Sequence, residues 1–194
     1  MGRKRIIGCD AVLDAAERVI QREGAVNLTI SAVAEEAGVS KATVLYDFKT
    51  KHALIGALVT RQMQADDQRL QDCITAAAEA PDVANPELAG RISFAATMPD
   101  TQDRASVMTV CLAMAADDSV RLRIRDFVGK DQKAFLGDGD AMSGSGPLMA
   151  FLALQGYLSL TCFDFCNFSP ETREQIFSGI GKLTRMPNTL FDDL

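Results

Sequence analysis

Residues 29–54 read TISAVAEEAGVSKATVLYDFKTKHAL, and this stretch decides the fold. Thr29 can cap the start of a short helix, and Gly38 ends that helix in a tight turn, where glycine adopts a left-handed conformation at no cost. Ser40 is a good N-cap for a second short helix that begins at Lys41. Two helices joined by such a short turn form a helix-turn-helix, a motif that places its second helix in the major groove of DNA.

The second helix of this motif has two distinct faces. Val44 and Phe48 are four residues apart and point inward together. A major groove admits one α-helix, and small residues such as Ala42 near its N-terminus let the backbone approach the base edges, while hydroxyl and ammonium groups reach phosphates. The residues expected to face away or sideways are Lys41, Ala42, Thr43, Leu45, Tyr46 and Asp47.

AGVSKATVLYDF (residues 37–48) followed by KTKHAL (49–54) resembles the signature of the TetR family of transcriptional regulators. VLDAAERVIQREG (12–24) resembles that family's first helix, with an apolar stripe at helical spacing. The resemblance implies an all-α fold, with an N-terminal three-helix helix-turn-helix head and a larger C-terminal helical body that dimerises. It also implies DNA contacts at the matching positions Thr29, Lys41, Thr43, Tyr46 and Lys51.

Two positions depart from the family pattern. Leu45 stands where the first of two aromatic residues is common, and Asp47 stands where a phosphate-contacting histidine is common. Because phosphate repels a carboxylate, we expect Asp47 to pair with Lys51 or to accept a hydrogen bond from a cytosine amino group. Neither Leu45 nor Asp47 is carried over as a DNA contact.

Charge is distributed unevenly along the chain. The formal net charge of -6 would by itself argue against a nucleic-acid partner. Residues 1–61, however, contain nine Lys/Arg against seven Asp/Glu, so the acidic excess lies in the remainder. The basic start GRKR (2–5) has two open interpretations, an arm that lies along DNA or a terminus with incidental charge.

Other composition features exclude several classes of protein. His52 is the only histidine and lies within the DNA-binding motif, which excludes a catalytic triad or a histidine-ligated metal centre elsewhere. We therefore expect no enzyme activity, no metal and no cofactor. The odd, unpatterned set of five cysteines fits a reducing cytosol, and Cys162 and Cys166 are interpreted as buried thiols. The longest apolar run, 147–163, is shorter than a bilayer requires and no secretory signal is present, so we expect a cytoplasmic protein with no membrane partner.

Beyond residue 54 the pattern remains helical. Residues 1–55 are expected to form the DNA-binding domain and residues 56–194 the effector-binding and dimerisation domain. Gly137 to Gly146 is rich in glycine and small polar residues, which indicates a loop. The helices expected in the body span about 51–80, 87–97, 104–116, 119–135, 146–165 and 170–184.

The body is expected to dimerise and to sense a ligand. The last two helices resemble the pair through which this family forms a four-helix bundle, which implies a homodimer; the alternative is that their apolar faces form intramolecular core. Met and Phe residues concentrate beyond residue 90, and methionine adapts to irregular apolar cavities. The candidate pocket residues, each of which can equally be core, are Phe94, Met98, Met108, Cys111, Met114 and Phe127.

These patterns predict a transcriptional repressor that binds double-stranded operator DNA. An effector that binds better to the conformation unsuited to DNA would shift the population away from the operator. The alternative is a constitutive dimeric DNA-binding regulator that has no ligand. A closed, fully packed body would favour that alternative, and a Met-lined void that opens to the surface would favour a ligand sensor.

Overall fold

A computed structural model describes residues 8–97, 104–137 and 145–186, and the regular secondary structure of these ranges is entirely helical. The all-α prediction is therefore confirmed. The basic residues 2–5 and most of the glycine-rich loop lie outside the described residues. A short 3₁₀ helix spans Ala25–Asn27, and the α-helices are α1 (Cys9–Glu23), α2 (Ile30–Glu36), α3 (Lys41–Phe48), α4 (Lys51–Glu79), α5 (Pro86–Thr97), α6 (Arg104–Ala116), α7 (Asp118–Leu136), α8 (Ser145–Cys162) and α9 (Pro170–Leu183).

The chain divides into two compact units. Unit 1 contains residues 1–64 and 102–123, and unit 2 contains residues 65–101 and 124–194. Since α4 runs through the division, the chain passes from one unit to the other without leaving a helix. The predicted boundary after residue 55 is a functional one, since it separates the DNA-binding residues from the rest of the chain. It stays a prediction.

The head, by which we mean α1 to α3 with the 3₁₀ helix, is built on a core of Ala and Val side chains together with Leu13, Ile20, Leu28 and Phe48. The predicted apolar stripe of α1 is buried along its whole length. Val33 from α2 and Val44 from α3 are also fully buried in the head. Small side chains allow the three helices to pack closely with few voids. The buried residues of α1 are Val12, Leu13, Ala15, Ala16, Val19 and Ile20.

Hydroxyl side chains begin the helices of the head as the sequence predicts. The Ala32 backbone N–H donates to Thr29 Oγ1 at 3.1 Å, and the Thr43 N–H donates to Ser40 Oγ at 3.1 Å. Each bond satisfies one of the backbone donors that a helix start leaves without an intrahelical partner. Gly38 has φ +66°, so glycine permits the turn between α2 and α3.

Unit 2 has a core made by α5, α7, α8 and α9. Its centre consists of buried side chains and is surrounded by half-buried apolar residues. Helix α5 lies very close to α4, since a Cβ added at Gly90 would lie 2.5 Å from the Ile74 Cα. The buried residues at the centre of this core are Ala95, Phe135, Ala150, Leu154 and Ile180.

Helix α8 ends at Cys162, three residues before the end expected from the sequence. Asp164 adopts φ +55°, and the Phe165 N–H donates to the Leu160 carbonyl at 2.9 Å. This is the left-handed C-terminal cap in which glycine is the usual residue. Because residue 164 is aspartate and not glycine, the sequence did not indicate this cap, and the predicted helix extended too far.

Candidate DNA-binding surface

Helix α3 separates its buried and exposed residues cleanly. Val44 is fully buried and Phe48 is 8% exposed, whereas Tyr46 is 77% and Leu45 is 37% exposed. Ala42 is also exposed. Residues 42, 45 and 46 share the outward face because they are three and four positions apart on the helix. This face and its order of residues agree with the sequence prediction.

Thr29 and Thr43 have structural partners in addition to their predicted role. The Thr29 hydroxyl caps α2, and Thr43 Oγ1 lies 2.8 Å from Ser40 Oγ at the start of α3. Thr43 is half-buried. Both threonines therefore help to define the helix starts whether or not DNA is bound, and their DNA contacts stay predictions.

Lysines 49 and 51 lie where α3 ends and α4 begins. Lys51 Nζ donates to the Val26 carbonyl of the 3₁₀ helix at 2.7 Å, a contact that the sequence did not indicate. An ammonium group has three N–H donors, so this bond leaves donors for a phosphate. Lys49 has φ +48°, donates from Nζ to the Tyr46 carbonyl at 2.9 Å, and lies 5.2 Å from the Tyr46 ring centroid. Lys49 thus contacts both the backbone and the ring of Tyr46, which is 77% exposed on the outward face.

Arginines of unit 1 neutralise several of its acids. Arg18 and Arg22 both donate to Glu36, at 2.7 and 2.9 Å, and these hydrogen bonds hold the pKa of Glu36 below its ordinary value. Arg61 on α4 lies 2.7 Å from Asp14 and pairs with a second acid of α1. Lys41, Lys49 and Lys51 lie on and beside α3. The positive field that the sequence predicts at this surface stays a prediction.

The candidate pocket residues are divided between the two units. Phe94 is buried in unit 2 with the Arg69 guanidinium 5.7 Å from its ring centroid, and Phe127 is half-buried in the same unit. Cys111 and Met114 are half-buried and belong to unit 1. Met98 and the Met108 side chain lie outside the described residues. A shared pocket made by these residues stays a prediction.

Unit 2 carries an open groove that the sequence did not indicate. Its volume is about 460 Å³, and Arg173 Nη2 donates to the Ala96 carbonyl at 3.1 Å beside it. The residues that line the groove are Ala96, Pro170, Arg173, Glu174, Phe177 and Ser178.

A buried ion pair crosses the core of unit 2. Arg91 contacts Asp131 and lies 2.7 Å from Glu87, and Gln155 Nε2 donates to Asp131 Oδ2 at 3.1 Å. The side chains of Arg91 and Asp131 are only 5% and 8% exposed. Burial raises the pKa of Asp131, although the Arg91 charge and the two hydrogen bonds act in the opposite direction. Sequence reasoning missed this cluster because its members lie on α5, α7 and α8 and share no local pattern.

The apolar faces of α8 and α9 are used in two ways. Ile180 is buried in the core of unit 2, and half-buried Phe151 and Phe177 pack around that core. Leu152 is 51% exposed, and Phe163, just past the end of α8, is 47% exposed. The intramolecular alternative therefore holds for part of the predicted interface. The remaining exposed apolar stripe of α8, which we call the α8 stripe, consists of Met149, Leu152, Leu160 and Phe163.

All five cysteines are thiols, and Cys162 and Cys166, which the sequence predicts to be buried, are half-buried. Across residues 8–97, 104–137 and 145–186, no helix combines the length and apolar character needed to cross a bilayer.

Comparison with known proteins gives a family match and several similar folds. Residues 12–58 match the family model for bacterial regulatory proteins of the tetR family. A transcriptional regulator from Pseudomonas aeruginosa PAO1 has a similar structure, with TM-score 0.67 and 18% identity over 91% of this chain and 89% of that chain. No curated protein matches the chain in sequence.

Two further structures share the fold. A TetR-family regulator from Mesorhizobium loti MAFF303099 has TM-score 0.57 and 16% identity, covering 91% of this chain and 92% of that chain. The multidrug binding protein EbrR, complexed with imidazole, has TM-score 0.54 and 20% identity, covering 92% of this chain and 90% of that chain. At these identities the likeness extends to the fold, over nearly the full length of both chains.

Proposed function

Through residues 12–58 this chain belongs to the TetR family of DNA-binding transcriptional regulators, and from that premise we propose that it represses transcription until a small, largely apolar molecule releases it from its operator. The observation that carries the proposal is the outward face of α3. Tyr46 is exposed there, and Lys49 donates a hydrogen bond to its carbonyl. Lys41 and Lys51 take no part in the ion pairs that the arginines of unit 1 form. Such a face offers a groove-sized helix flanked by phosphate-binding cations.

The proposed DNA contacts divide into two kinds. Lys41, Tyr46 and Lys51 would contact phosphates, which fixes the helix on the duplex without reading its sequence. Ala42 and Thr43 lie in the first turn of α3, where the backbone comes closest to the bases. Thr29 would make a further DNA contact at the start of α2, where its hydroxyl already accepts a hydrogen bond from the backbone.

Release by a ligand is proposed to involve the groove in unit 2. This groove is open to solvent and contains no Met, so it is a candidate ligand surface and not the Met-lined void that would decide against the constitutive alternative. Phe177 and Ala96 supply apolar surface there, whereas Arg173 and Glu174 offer charge at the same groove. The similarly folded EbrR is a multidrug binding protein that holds imidazole.

Dimerisation is part of the same proposal. A single helix-turn-helix contacts few base pairs, and a two-fold dimer contacts two half-sites about one helical turn apart. The α8 stripe leaves apolar surface at Leu152 and Leu160 that a second copy would cover. Met149 and Phe163 extend this surface along the helix.

DNA binding is tested by the salt dependence of affinity for duplexes recovered from genomic DNA. We expect Lys51→Ala to weaken binding to all duplexes alike and to lower the salt slope by about one unit, because one phosphate is no longer neutralised. Thr43→Ala should instead change the preference among sites. The matched control is Lys130→Ala, an exposed lysine of unit 2, which should change neither quantity. An unaltered affinity and salt slope in Lys51→Ala would remove Lys51 from the DNA surface.

Ligand release is tested separately, with apolar and aromatic compounds added to the complex with DNA. A releasing compound should weaken DNA binding by about 5- to 150-fold, the usual range for coupled sites. The same compound must bind more weakly, by the same factor, when DNA is present. If a broad set of compounds moves neither DNA affinity nor thermal stability, the constitutive alternative replaces the ligand-responsive one.

A further inference from the structure

Helix α3 lacks the side chains that usually read bases by paired hydrogen bonds. Its sequence, KATVLYDF, contains no Arg, Asn or Gln, so Lys41 is its one residue of the types that bond bidentately to guanine or adenine. Lys41 lies at its first position, where a phosphate is also within reach, and the Thr43 hydroxyl already lies 2.8 Å from the Ser40 hydroxyl. The helix therefore has few donors and acceptors with which to select a sequence.

Apolar groups occupy the outward face instead. Leu45 is 37% exposed although the other two large apolar residues of α3, Val44 and Phe48, are buried. Ala42 lies one turn before Leu45 on the same face and is exposed. Methyl groups thus project from the part of the helix that a major groove would receive, between Lys41 on one side and Tyr46 on the other.

One base feature of the major groove matches such groups. Each base pair presents a distinct pattern there, and thymine alone contributes a C5-methyl group, which apolar side chains contact. We infer that Leu45, together with Ala42, reads thymine methyl groups and so sets the sequence preference of the operator. The inference rests on the proposed DNA binding and names the chemical feature that this surface recognises. Leu45, a departure from the family pattern, becomes a specificity-determining residue.

The experiment removes the methyl group without changing any hydrogen bond. Operator duplexes are first selected from a randomised pool with the full-length wild-type chain, and each thymine is then replaced singly by 2′-deoxyuridine. We expect deoxyuridine at one or two positions of each half-site to lower the affinity of the protein for the duplex by about 4-fold per half-site. This is the effect of leaving one methyl-sized group unburied. In a variant duplex that has cytosine in place of the sensitive thymine, 5-methylcytosine at that position should restore part of the lost affinity.

Variants assign the effect to Leu45. Leu45→Ala should make the sensitive position indifferent to deoxyuridine, whereas Leu122→Ala, an equally simple change at an exposed leucine of α7, should leave the 4-fold loss intact. Thermal unfolding of each variant confirms that it is folded.

Two failures are distinguishable. Wild-type protein that binds its selected operator but is indifferent to deoxyuridine at every thymine would overturn the role of Leu45 and leave the proposed function standing. A chain for which no sequence can be selected, and whose binding to DNA shows no salt dependence, would overturn both.

Discussion

The head and unit 2 place their apolar and charged groups in opposite ways. In the head, charged pairs such as Arg18–Glu36 lie at the surface and the core is made of apolar side chains. In unit 2 a charged pair, Arg91–Asp131, is buried, and leucines such as Leu152 are exposed on α8. The head keeps its charged pairs at the surface, whereas unit 2 buries one among its helices and leaves the α8 stripe exposed, which is the surface proposed for a second copy.

The strongest test of this contrast is the buried pair. Asp131→Ala should lower the free energy of unfolding by about 3 kcal/mol, because Arg91 would remain buried with only the partly exposed Glu87 as a charged partner. Urea unfolding of the full chain measures this. The double variant Arg91→Met/Asp131→Leu should recover most of the loss, since no buried charge remains.

The matched control is the exposed pair of Arg121 and Asp118, 2.9 Å apart on α7. Arg121→Ala should change stability by about 0.5 kcal/mol or less, because solvent screens exposed pairs. Equal losses from Asp131→Ala and Arg121→Ala would mean that burial of the charged pair does not distinguish unit 2.

The α8 stripe supplies the second test. Leu152→Glu should raise the dissociation constant of the proposed dimer by about 30-fold, the effect of losing a buried interface anchor of about 2 kcal/mol. Analytical ultracentrifugation measures it, and circular dichroism confirms that the variant is folded. Leu122→Glu is the control, because Leu122 is 53% exposed and Leu152 is 51% exposed. A dimer unaffected by Leu152→Glu, or a monomeric wild-type chain, would contradict the proposed interface.

Helix caps provide a third test, with one cap in each region. Ser40 accepts from the Thr43 N–H at 3.1 Å, and Ser169 accepts from the Thr172 N–H at 3.2 Å. Ser40→Ala and Ser169→Ala should each lower stability by about 1 kcal/mol. We expect only Ser40→Ala to weaken DNA binding as well, because it loosens the first turn of α3. Similar DNA affinities for the two variants would show that the cap of α3 has no part in DNA binding.

The smallest effect concerns the surface pairs of the head. Hydrogen bonds from Arg18 and Arg22 lower the pKa of Glu36 below 4.5, so their contribution to stability is present above that pH and is lost as pH falls through the lowered pKa. Glu36→Gln should therefore be slightly less stable than wild type near pH 7, and the difference should vanish in acid. Glu35→Gln, at the neighbouring exposed position, is the control. A difference that grows as pH falls would reverse the sign of the assignment.

Local signals in the sequence were enough to predict the helices. The α1 stripe, the caps at Thr29 and Ser40 and the turn at Gly38 were all confirmed, because each depends on residues only a few positions apart. The outward face of α3 followed from the same periodicity.

Contacts between distant residues could not be predicted in this way. Lys51 meets the Val26 carbonyl across 25 residues, and Arg91 meets Asp131 across 40. Nothing in the local pattern marks either pair. Lys49 and Asp164 hold left-handed conformations without the glycine that normally signals one.

Helix α3 also has a bearing on how such a regulator can evolve. Ser40, Val44 and Phe48 secure the helix, and the residues that face outward have no part in that cap or core. Exposed substitutions outside caps and cores usually change stability by about 0.5 kcal/mol or less. Ala42 and Leu45 can therefore change to other side chains while the head stays folded, so that, under the role proposed for Leu45, a duplicated copy of this chain could acquire a new operator without loss of stability.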